Sequence, residues 1–432
     1  MYRRTLAIAA LSLGLPLLVV AAPLRASAPA DQVVFATSGD ALYSVPATGG
    51  QPAPLAGLAG TDPTAQPGGP LFAFIGGGSL GPDVFVAGGD GAGVRNVSNL
   101  RATCKSIAWS KDGRSLTFLV VTSKDCHDVC VAEISGDRAK NLTESADDEG
   151  APQWGPAARW LAFTVTPRGE KQSRLAVWDA HGGVRTLWQD SDVSAFSASP
   201  RDDVVALIAG PEKSRRLYLI NAATGKASPV DLGGREPSEV SFSPDGTCLA
   251  IVADGVYLAE ADGARVRRIA REGSSPAWSP DGKRLVYTVM EVLRRDDPDD
   301  STKRMLSTRQ WIWGIEAIGA NSRRLWNASG DISVLGWTED SRRVIFTVEE
   351  PRFSLSVPRD VETITDETVV GLRFVFSTDP VPLISVDFDR GQGTELAAMR
   401  GLSRGCVIGG PPSALAAPAP ATEGKQPGAV EQ

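Results

Sequence analysis

The chain has 432 residues, 42% of them apolar, enough to bury a large core in one or two domains. A formal net charge of −7 and a pI near 5.2 argue against nucleic acid as a main partner and against strong attraction to an anionic membrane surface. The 45 Gly and 30 Pro residues mark many turns, and the chain beyond the N-terminal segment has almost no amphipathic-helix periodicity.

In chain order, Arg3 and Arg4 precede an apolar run from Leu6 to Val20, followed by small residues ending Ala28-Pro29-Ala30. This is the layout of a secretory signal peptide, residues 1–30, cleaved after Ala30. A cut after Ala28 would leave Pro29 beside the scissile bond. The protein is therefore expected in the periplasm or outside the cell. No later stretch is long and apolar enough to span a membrane.

The next segments, Gln32 to Thr37, Ala41 to Pro46 and Gln51 to Leu55, read as the second, third and fourth strands of a unit that lacks a first. A strand, tight turn and strand then recur along the chain. The clearest copy is SSPAWSPDGKRLVYTV from Ser274, in which Pro sets the turn and Gly closes it. Others begin at Ser106, Ala151, Glu239 and Val334, with weaker copies around Ala65 and Ala198 and a final candidate centred on Phe376. The residues before the turns are 65, 109, 154, 198, 242, 278, 337 and 376, so the gaps are 44, 45, 44, 44, 36, 59 and 39. Such spacing suits four-stranded propeller blades. Further strands read at Arg174 to Asp179, Val184 to Trp188, Arg216 to Asn221, Val256 to Glu260 and Gln310 to Glu316.

These features predict an all-β closed β-propeller over residues 31–390, with a C-terminal strand completing the first blade and removing free sheet edges. Eight blades follow if the Phe376 segment is the missing strand, and seven if the Trp337 strand closes the ring. Residues 391–432, rich in Ala, Pro and Gly, read as a disordered tail.

The turn segments Trp278 to Gly282, Phe242 to Gly246 and Trp109 to Gly113 resemble the TolB-like propeller repeat, a WD40-like unit centred on W-S-P-D-G. The resemblance spans roughly residues 31–390 and implies a propeller. The family includes periplasmic parts of envelope complexes and the propeller halves of prolyl-oligopeptidase-type enzymes. A TolB would carry a separate α/β domain ahead of the propeller, and a peptidase would need a hydrolase domain. The sequence reads as neither, so no specific role carries over.

Candidate chemistry is sparse. Gly77-Gly78-Ser79-Leu80-Gly81 matches G-x-S-x-G, but it falls in a Gly-rich loop, and His127 and His181 are the chain's two histidines. Cys104, Cys126 and Cys130 suggest a disulfide, either 104–126 or 126–130, rather than a metal site. Cys248 reads as a small buried hydrophobe. Asp296, Asp297, Asp299 and Asp300 lie in an insertion between the second and third strands of the longest blade, as a solvated loop, a partner contact or a Ca²⁺ site. Asp112, Asp245, Asp281, Asp340 and Asp379 stand three residues after the repeat position, where they cap turns or form an acidic rim for a basic peptide. Trp109, Trp154, Trp278 and Trp337 are expected between blades. Asn96, Asn141 and Asn327 begin N-x-S/T triplets. The sequence thus reads as a monomeric, non-enzymatic scaffold with a protein or peptide partner in the envelope and no cofactor, Ca²⁺ being the one candidate. A propeller enzyme, carbohydrate-active or peptidase-related, and a ligand sensor are the alternatives.

Overall fold

Hairpins at the repeat positions build antiparallel ladders throughout the computed structural model. It describes residues 31–77, 81–123, 126–296, 302–317, 319, 321–328, 330–349, 353–358, 371–374, 380–399 and 402–409. Blade 1 holds β1 (Gln32–Thr37), β2 (Ala41–Pro46) and the first half of β3 (Ala53–Ala65). Blade 2 takes the second half of β3 with β4 (Leu71–Gly76), β5 (Val84–Gly88) and β6 (Arg95–Asn96). Blade 3 is β7 (Cys104–Trp109), β8 (Ser115–Ser123), β9 (Cys126–Glu133) and β10 (Lys140–Asn141). Blade 4 is β11 (Asp148–Trp154), β12 (Trp160–Thr166), β13 (Arg174–Asp179) and β14 (Gly183–Trp188). Blade 5 is β15 (Val193–Ala198), β16 (Val204–Ala209), β17 (Arg216–Asn221) and β18 (Ala227–Pro229).

Blade 6 is β19 (Glu239–Phe242), β20 (Cys248–Val252), β21 (Val256–Glu260) and β22 (Arg267–Ala270). Blade 7 is β23 (Ser274–Trp278), β24 (Arg284–Asp296), β25 (Lys303–Glu316) and β26 (Arg323–Ala328). Blade 8 starts with β27 (Asp331–Trp337) and β28 (Arg343–Glu349). The chain then adds β29 (Phe353–Pro358) and β30 (Gly371–Phe374) to the outer end of β25, and returns as β31 (Val381–Asp387) and β32 (Gly393–Met399). Last comes β33 (Leu402–Ile408), paired to β1 from Gln32↔Ile408 to Thr37↔Leu402.

Packing explains the runs that are apolar on both faces. All six residues of β4 (LFAFIG) are buried, as are the last five of β16, because each blade is covered on both sides by its neighbours. Among the described residues, apolar clusters bridge every consecutive pair of blades, including Val86 with Phe118, Leu207 with Leu175, and Val286 with Phe346. A further cluster joins Ile345 and Leu383 of blade 8 to Val33 and Phe35 of blade 1 and closes the ring. Burial of one such side chain is worth roughly 1.5–3 kcal/mol, so adjoining blades hold each other folded. The chain is an all-β closed propeller. Its helical content among the described residues is one 3-10 turn at Pro156–Ala158.

Two expectations need correction. The strand that completes blade 1 is β33, not the Phe376 segment, and Phe376 itself lies outside the described residues. Residues 381–387, read as the hairpin partner of that segment, form the third strand of blade 8 instead. The propeller also runs past residue 390, since β32 and β33 occupy 393–408, so a tail can begin only beyond them. Gly405 shows why β33 was read as tail. A Cβ there would sit 2.9 Å from the Val34 carbonyl oxygen, so the strand needs a residue that ordinarily signals a loop.

Candidate partner-binding site

Seven inner strands end on repeat residues: Ala65, Trp109, Trp154, Ala198, Phe242, Trp278 and Trp337. The turns that follow gather at one mouth of the ring. Lys111 of blade 3 donates from Nζ to the Pro244 carbonyl of blade 6 at 3.0 Å, so one lysine side chain reaches across that mouth.

The acidic turn residues act first on their own turns. Asp112 Oδ1 accepts from the Ser110 hydroxyl at 2.6 Å and the Arg114 amide at 3.1 Å. Asp245 accepts from Ser243 and Thr247, Asp281 from Ser279 and Lys283, and Asp340 from Thr338 and Arg342. The Ser110 hydroxyl chiefly holds the Asp112 carboxyl below the usual carboxylate range. For Asp245 and Asp281, burial pushes the pKa up, but the hydroxyl and amide donors together outweigh it and lower the value. The glycines after three of these aspartates are left-handed, with φ of 67° at Gly113, 72° at Gly246 and 69° at Gly282. Blade 8 puts Ser341 there at φ 59°; its Oγ accepts from the Asp281 amide and its carbonyl from Arg284. Asp379 lies outside the described residues.

The tryptophans join neighbouring blades. Trp109, Trp154 and Trp337 donate their indole N–H groups to the carbonyls of Thr64, Ala108 and Ala277, in each case just before the repeat residue of the preceding blade. Trp278 departs from the pattern, its buried N–H having no partner. Between blades 4 and 5 the bridge is Gln153, which donates to Phe196 O and accepts from the Ala198 amide.

All five cysteines are free thiols, which corrects the disulfide expectation. Cys126 and Cys130 lie in one continuous strand, so about 13 Å of rise separates them, far beyond disulfide reach. Cys104 and Cys126 stand on β7 and β9 with β8 between them, about 10 Å apart laterally. Cys104 and Cys130 share the core between blades 2 and 3, and burial pushes each thiol up to about 12. Cys248 is half-buried rather than enclosed.

His127 Nδ1 lies 2.7 Å from Asp148 Oδ1, and its Nε2 lies 3.5 Å from Lys105 Nζ. A cavity of about 710 Å³ beside this couple is lined by Cys126, Ser145, Asp148, Arg168 and Glu170. Ser79 lies outside the described residues. Two of the N-x-S/T triplets are structural brackets: the Asn96 amide donates to Asp83 at 3.0 Å and the Asn141 amide to Asp128 at 2.5 Å. Beside the second bracket Glu149 is buried, and burial raises its pKa to about 7 despite hydrogen bonds from Ser145 and Thr143, with the Asp128 charge adding to the rise. Among the described residues no group of three or more His, Cys, Asp or Glu is arranged to hold a metal ion.

The insertion in blade 7 lies between its second and third strands, as the spacing indicates. Strands β24 and β25 pair continuously from Arg284↔Glu316 to Asp296↔Arg304 and extend beyond the blade as a ribbon. Asp296 ends β24, while Asp297, Asp299 and Asp300 lie outside the described residues.

The root of this ribbon carries residues that the sequence reading missed. A cavity of about 710 Å³ opens between it and blade 6, lined among others by Tyr287, Trp311, Trp313, Arg271 and Arg324. The Arg324 guanidinium stands 4.7 Å from the Trp311 ring centre and 5.9 Å from that of Trp313. Trp311 Nε1 donates to Glu291 at 3.3 Å. Met290 and Val292 beside it are 58% and 46% exposed, just beyond the buried stretch 285–289 of the same strand. The available signal was two tryptophans at alternate positions in the sequence WIW, which place both on one face of a strand.

No protein-family model matches the sequence, and no curated protein matches it. Among solved structures the chain is similar to dipeptidyl peptidase 4 of Porphyromonas gingivalis, at 12% identity and a TM-score of 0.54, over 87% of this chain and 60% of that one. It is also similar to TolB from Acinetobacter baumannii, at 12% identity and a TM-score of 0.38, over 81% of each chain. An oligogalacturonate lyase from Vibrio parahaemolyticus has 14% identity and a TM-score of 0.46, over 79% of this chain and 87% of that one. The peptidase likeness speaks for the propeller fold alone, and the two weaker ones add no argument. No helix among the described residues is long and apolar enough to cross a membrane.

Proposed function

We propose that this chain is an exported propeller that scaffolds protein–protein contacts in the periplasm or cell envelope. The observation that carries the reading is the open cavity lined by Trp311, Trp313 and Arg324 at the root of the ribbon. Tryptophan, tyrosine and arginine dominate the energetics of protein interfaces, because they bury large area and still make directed polar contacts. The acidic turns Asp112, Asp245, Asp281 and Asp340 belong to the same reading as a contact rim for basic groups of a partner. The Asp296 to Asp300 loop serves as a further contact, or as a Ca²⁺ loop that calorimetry would detect. Residues 1–30 act as the export signal, so the exported protein begins at Asp31 when its mass is measured.

The test is affinity capture from envelope extract with the chain from Asp31 onward as bait, read by quantitative mass spectrometry. One specific partner at stoichiometric yield is the expected result. Repeated capture of nothing above background would overturn the reading.

The second reading is a propeller enzyme, carbohydrate-active or peptidase-related. The observation in its favour is the Asp148–His127 couple beside a cavity. However, Nε2 of His127 faces Lys105 rather than a hydroxyl or thiol nucleophile. Turnover of a glycoside or peptide substrate that His127→Asn abolishes would establish this alternative.

A further inference from the structure

Blades 2 and 3 contain the same polar bracket, each residue of the second standing 45 positions after its counterpart in the first. In blade 2, Asp83 Oδ2 accepts from the Asn96 amide at 3.0 Å. Its Oδ1 accepts from the Ser98 hydroxyl and the Leu100 and Arg101 amides at 2.9, 2.8 and 2.9 Å. In blade 3, Asp128 Oδ2 accepts from the Asn141 amide in the same way. The loops that follow begin alike, with φ of 45° at Asn99 and 47° at its counterpart Glu144. They then part. Asp128 is 4% exposed, and its Oδ1 is buried without any donor among the described residues. A buried carboxylate oxygen left unpaired is costly and calls for a partner.

The donor that Asp128 lacks serves a second buried carboxylate. Thr143 accepts from the Val129 amide just as Ser98 accepts from the Val84 amide, but its hydroxyl donates to Glu149 Oε2 at 3.2 Å. The Ser145 hydroxyl, an acceptor for the Asp147 amide, donates to Glu149 Oε1 at 2.7 Å. Both Glu149 oxygens are thus acceptors, which is the bonding of an ionised carboxylate. Glu149 is 3% exposed, and its counterpart in blade 2 is Cys104, so the second carboxylate is particular to blade 3. By analogy with Ser98, the Thr143 hydroxyl stands between Glu149 Oε2 and Asp128 Oδ1. The basic groups of these elements are turned elsewhere. His127 faces Asp148, Lys105 faces His127, and Lys140 is exposed. The other acids of the loop, Glu144 and Asp147, add charge of the same sign.

We propose that Asp128 Oδ1 and the Glu149 carboxylate bind one Ca²⁺ ion between β9 and the loop from Thr143 to Glu149. Two buried carboxylates call for a divalent charge, and an all-oxygen donor set suits a hard cation rather than Zn²⁺. Mg²⁺ demands a near-ideal octahedron and loses water reluctantly, whereas Ca²⁺ accepts a looser shell in which one carboxylate gives both oxygens. Thr143 and Ser145 hold Glu149 in place. Ser145 and Ala146 are exposed and line the cavity of about 710 Å³ beside the loop, which gives the ion its way in and supplies water to complete its shell. The site is separate from the acidic loop of the ribbon, and it stands whether or not the scaffold reading does.

The experiment is calorimetry with CaCl₂ on the full chain from Asp31 onward, stripped with EDTA and dialysed, at about pH 8 where carboxylates are ionised. Binding with a Kd of about 0.1–1 mM is expected, the range of extracellular Ca²⁺ modules, with Mg²⁺ at least about tenfold weaker. Asp128→Asn and Glu149→Gln should each weaken Ca²⁺ at least about tenfold. Ser145→Ala, at an exposed position, keeps the fold and should weaken Ca²⁺ about threefold by freeing one Glu149 oxygen. Asp83→Asn alters the bracket whose oxygens are all paired, so it should lower the melting temperature and leave Ca²⁺ affinity unchanged. Ca²⁺ at about 10 mM should raise the melting temperature of the unaltered chain by about 2 °C and leave that of Glu149→Gln where it is.

Absence of heat and of thermal stabilisation with Ca²⁺ would overturn the inference and leave Asp128 Oδ1 to a bound water. Heat that survives Asp128→Asn, Glu149→Gln and Ser145→Ala would overturn it as well. Loss of that surviving heat in a chain carrying Asp297→Asn, Asp299→Asn and Asp300→Asn would place the ion in the ribbon loop instead. Equal affinity for Mg²⁺ and Ca²⁺ would contradict the coordination proposed here.

Discussion

The indole N–H of Trp109 donates to the backbone carbonyl of Thr64 at 3.0 Å, across the interface between blades 2 and 3. The same link recurs from Trp154 to Ala108 and from Trp337 to Ala277. The repeat residue is thus more than a spacer. It fixes the rotation of one blade against the next, because a hydrogen bond to a specific carbonyl permits one register where apolar packing alone permits several.

Trp109→Phe keeps an aromatic ring in place and removes this donor. Urea unfolding should show a loss of about 1 kcal/mol for Trp109→Phe and about 3 kcal/mol for Trp109→Ala. Equal effects of the two substitutions would mean that packing, not the inter-blade bond, is what the residue contributes.

Asp245→Ala should cost about 1 kcal/mol, since Ser243 Oγ and the Thr247 amide lose their acceptor. The pKa of Asp245 is lowered on folding, so its ionised form supplies stability that is fully present above the unfolded value and is lost as pH falls through the folded one. The difference between wild type and Asp245→Ala should therefore shrink below about pH 4 in acid titrations followed by circular dichroism.

Glu149 works in the opposite sense. Its folded pKa, about 7, lies above the ordinary value of 4.5, so the folded state binds more protons over that interval. Its contribution to stability therefore declines as pH rises from about 4.5 to about 7, by an amount on the order of 2–3 kcal/mol. Glu149→Gln should flatten that slope in melting temperatures measured across this range. A wild-type slope that survives the substitution would place the titrating group elsewhere.

Thiol chemistry offers an independent check on the core. Cys104, Cys130 and Cys406 are buried and burial raises each pKa, so brief alkylation of the native protein should spare them. Half-buried Cys126 and Cys248 should react first. Peptide mapping that finds Cys104 or Cys130 in a disulfide would contradict this arrangement.

The sequence makes the inner strands legible because each ends in a turn with its own chemistry: Ser-Lys-Asp-Gly after Trp109 and Ser-Pro-Asp-Gly after Phe242 and Trp278. The strands Gln32–Thr37, Ala41–Pro46, Arg174–Asp179 and Val256–Glu260 were readable by the same alternation of apolar runs and turns. What stayed hidden depends on contacts between distant parts of the chain. Strand β33 pairs with a segment more than 360 residues away and carries Gly405 for close approach, so nothing local marks it as a strand. The ribbon cavity depends on Trp311 and Trp313 meeting Arg271 of another blade, a juxtaposition that periodicity does not encode. The acidic turns were visible, and the hydroxyl beside each carboxylate, two residues upstream, already indicated their role in the turns.

Everything proposed for the surface presupposes a ring closed by the pairing of β1 with β33. Val34 and the native Cys406 are direct cross-strand partners in that ladder. Their α-carbons should lie about 4.5–5.5 Å apart, within disulfide reach. Oxidation of the Val34→Cys variant should therefore form a bond between positions 34 and 406, seen as a faster-migrating species on a non-reducing gel and as the linked peptide by mass spectrometry. Failure to form that bond under conditions that oxidise both thiols, or preferential bonding of the introduced thiol to another cysteine, would contradict the closed ring.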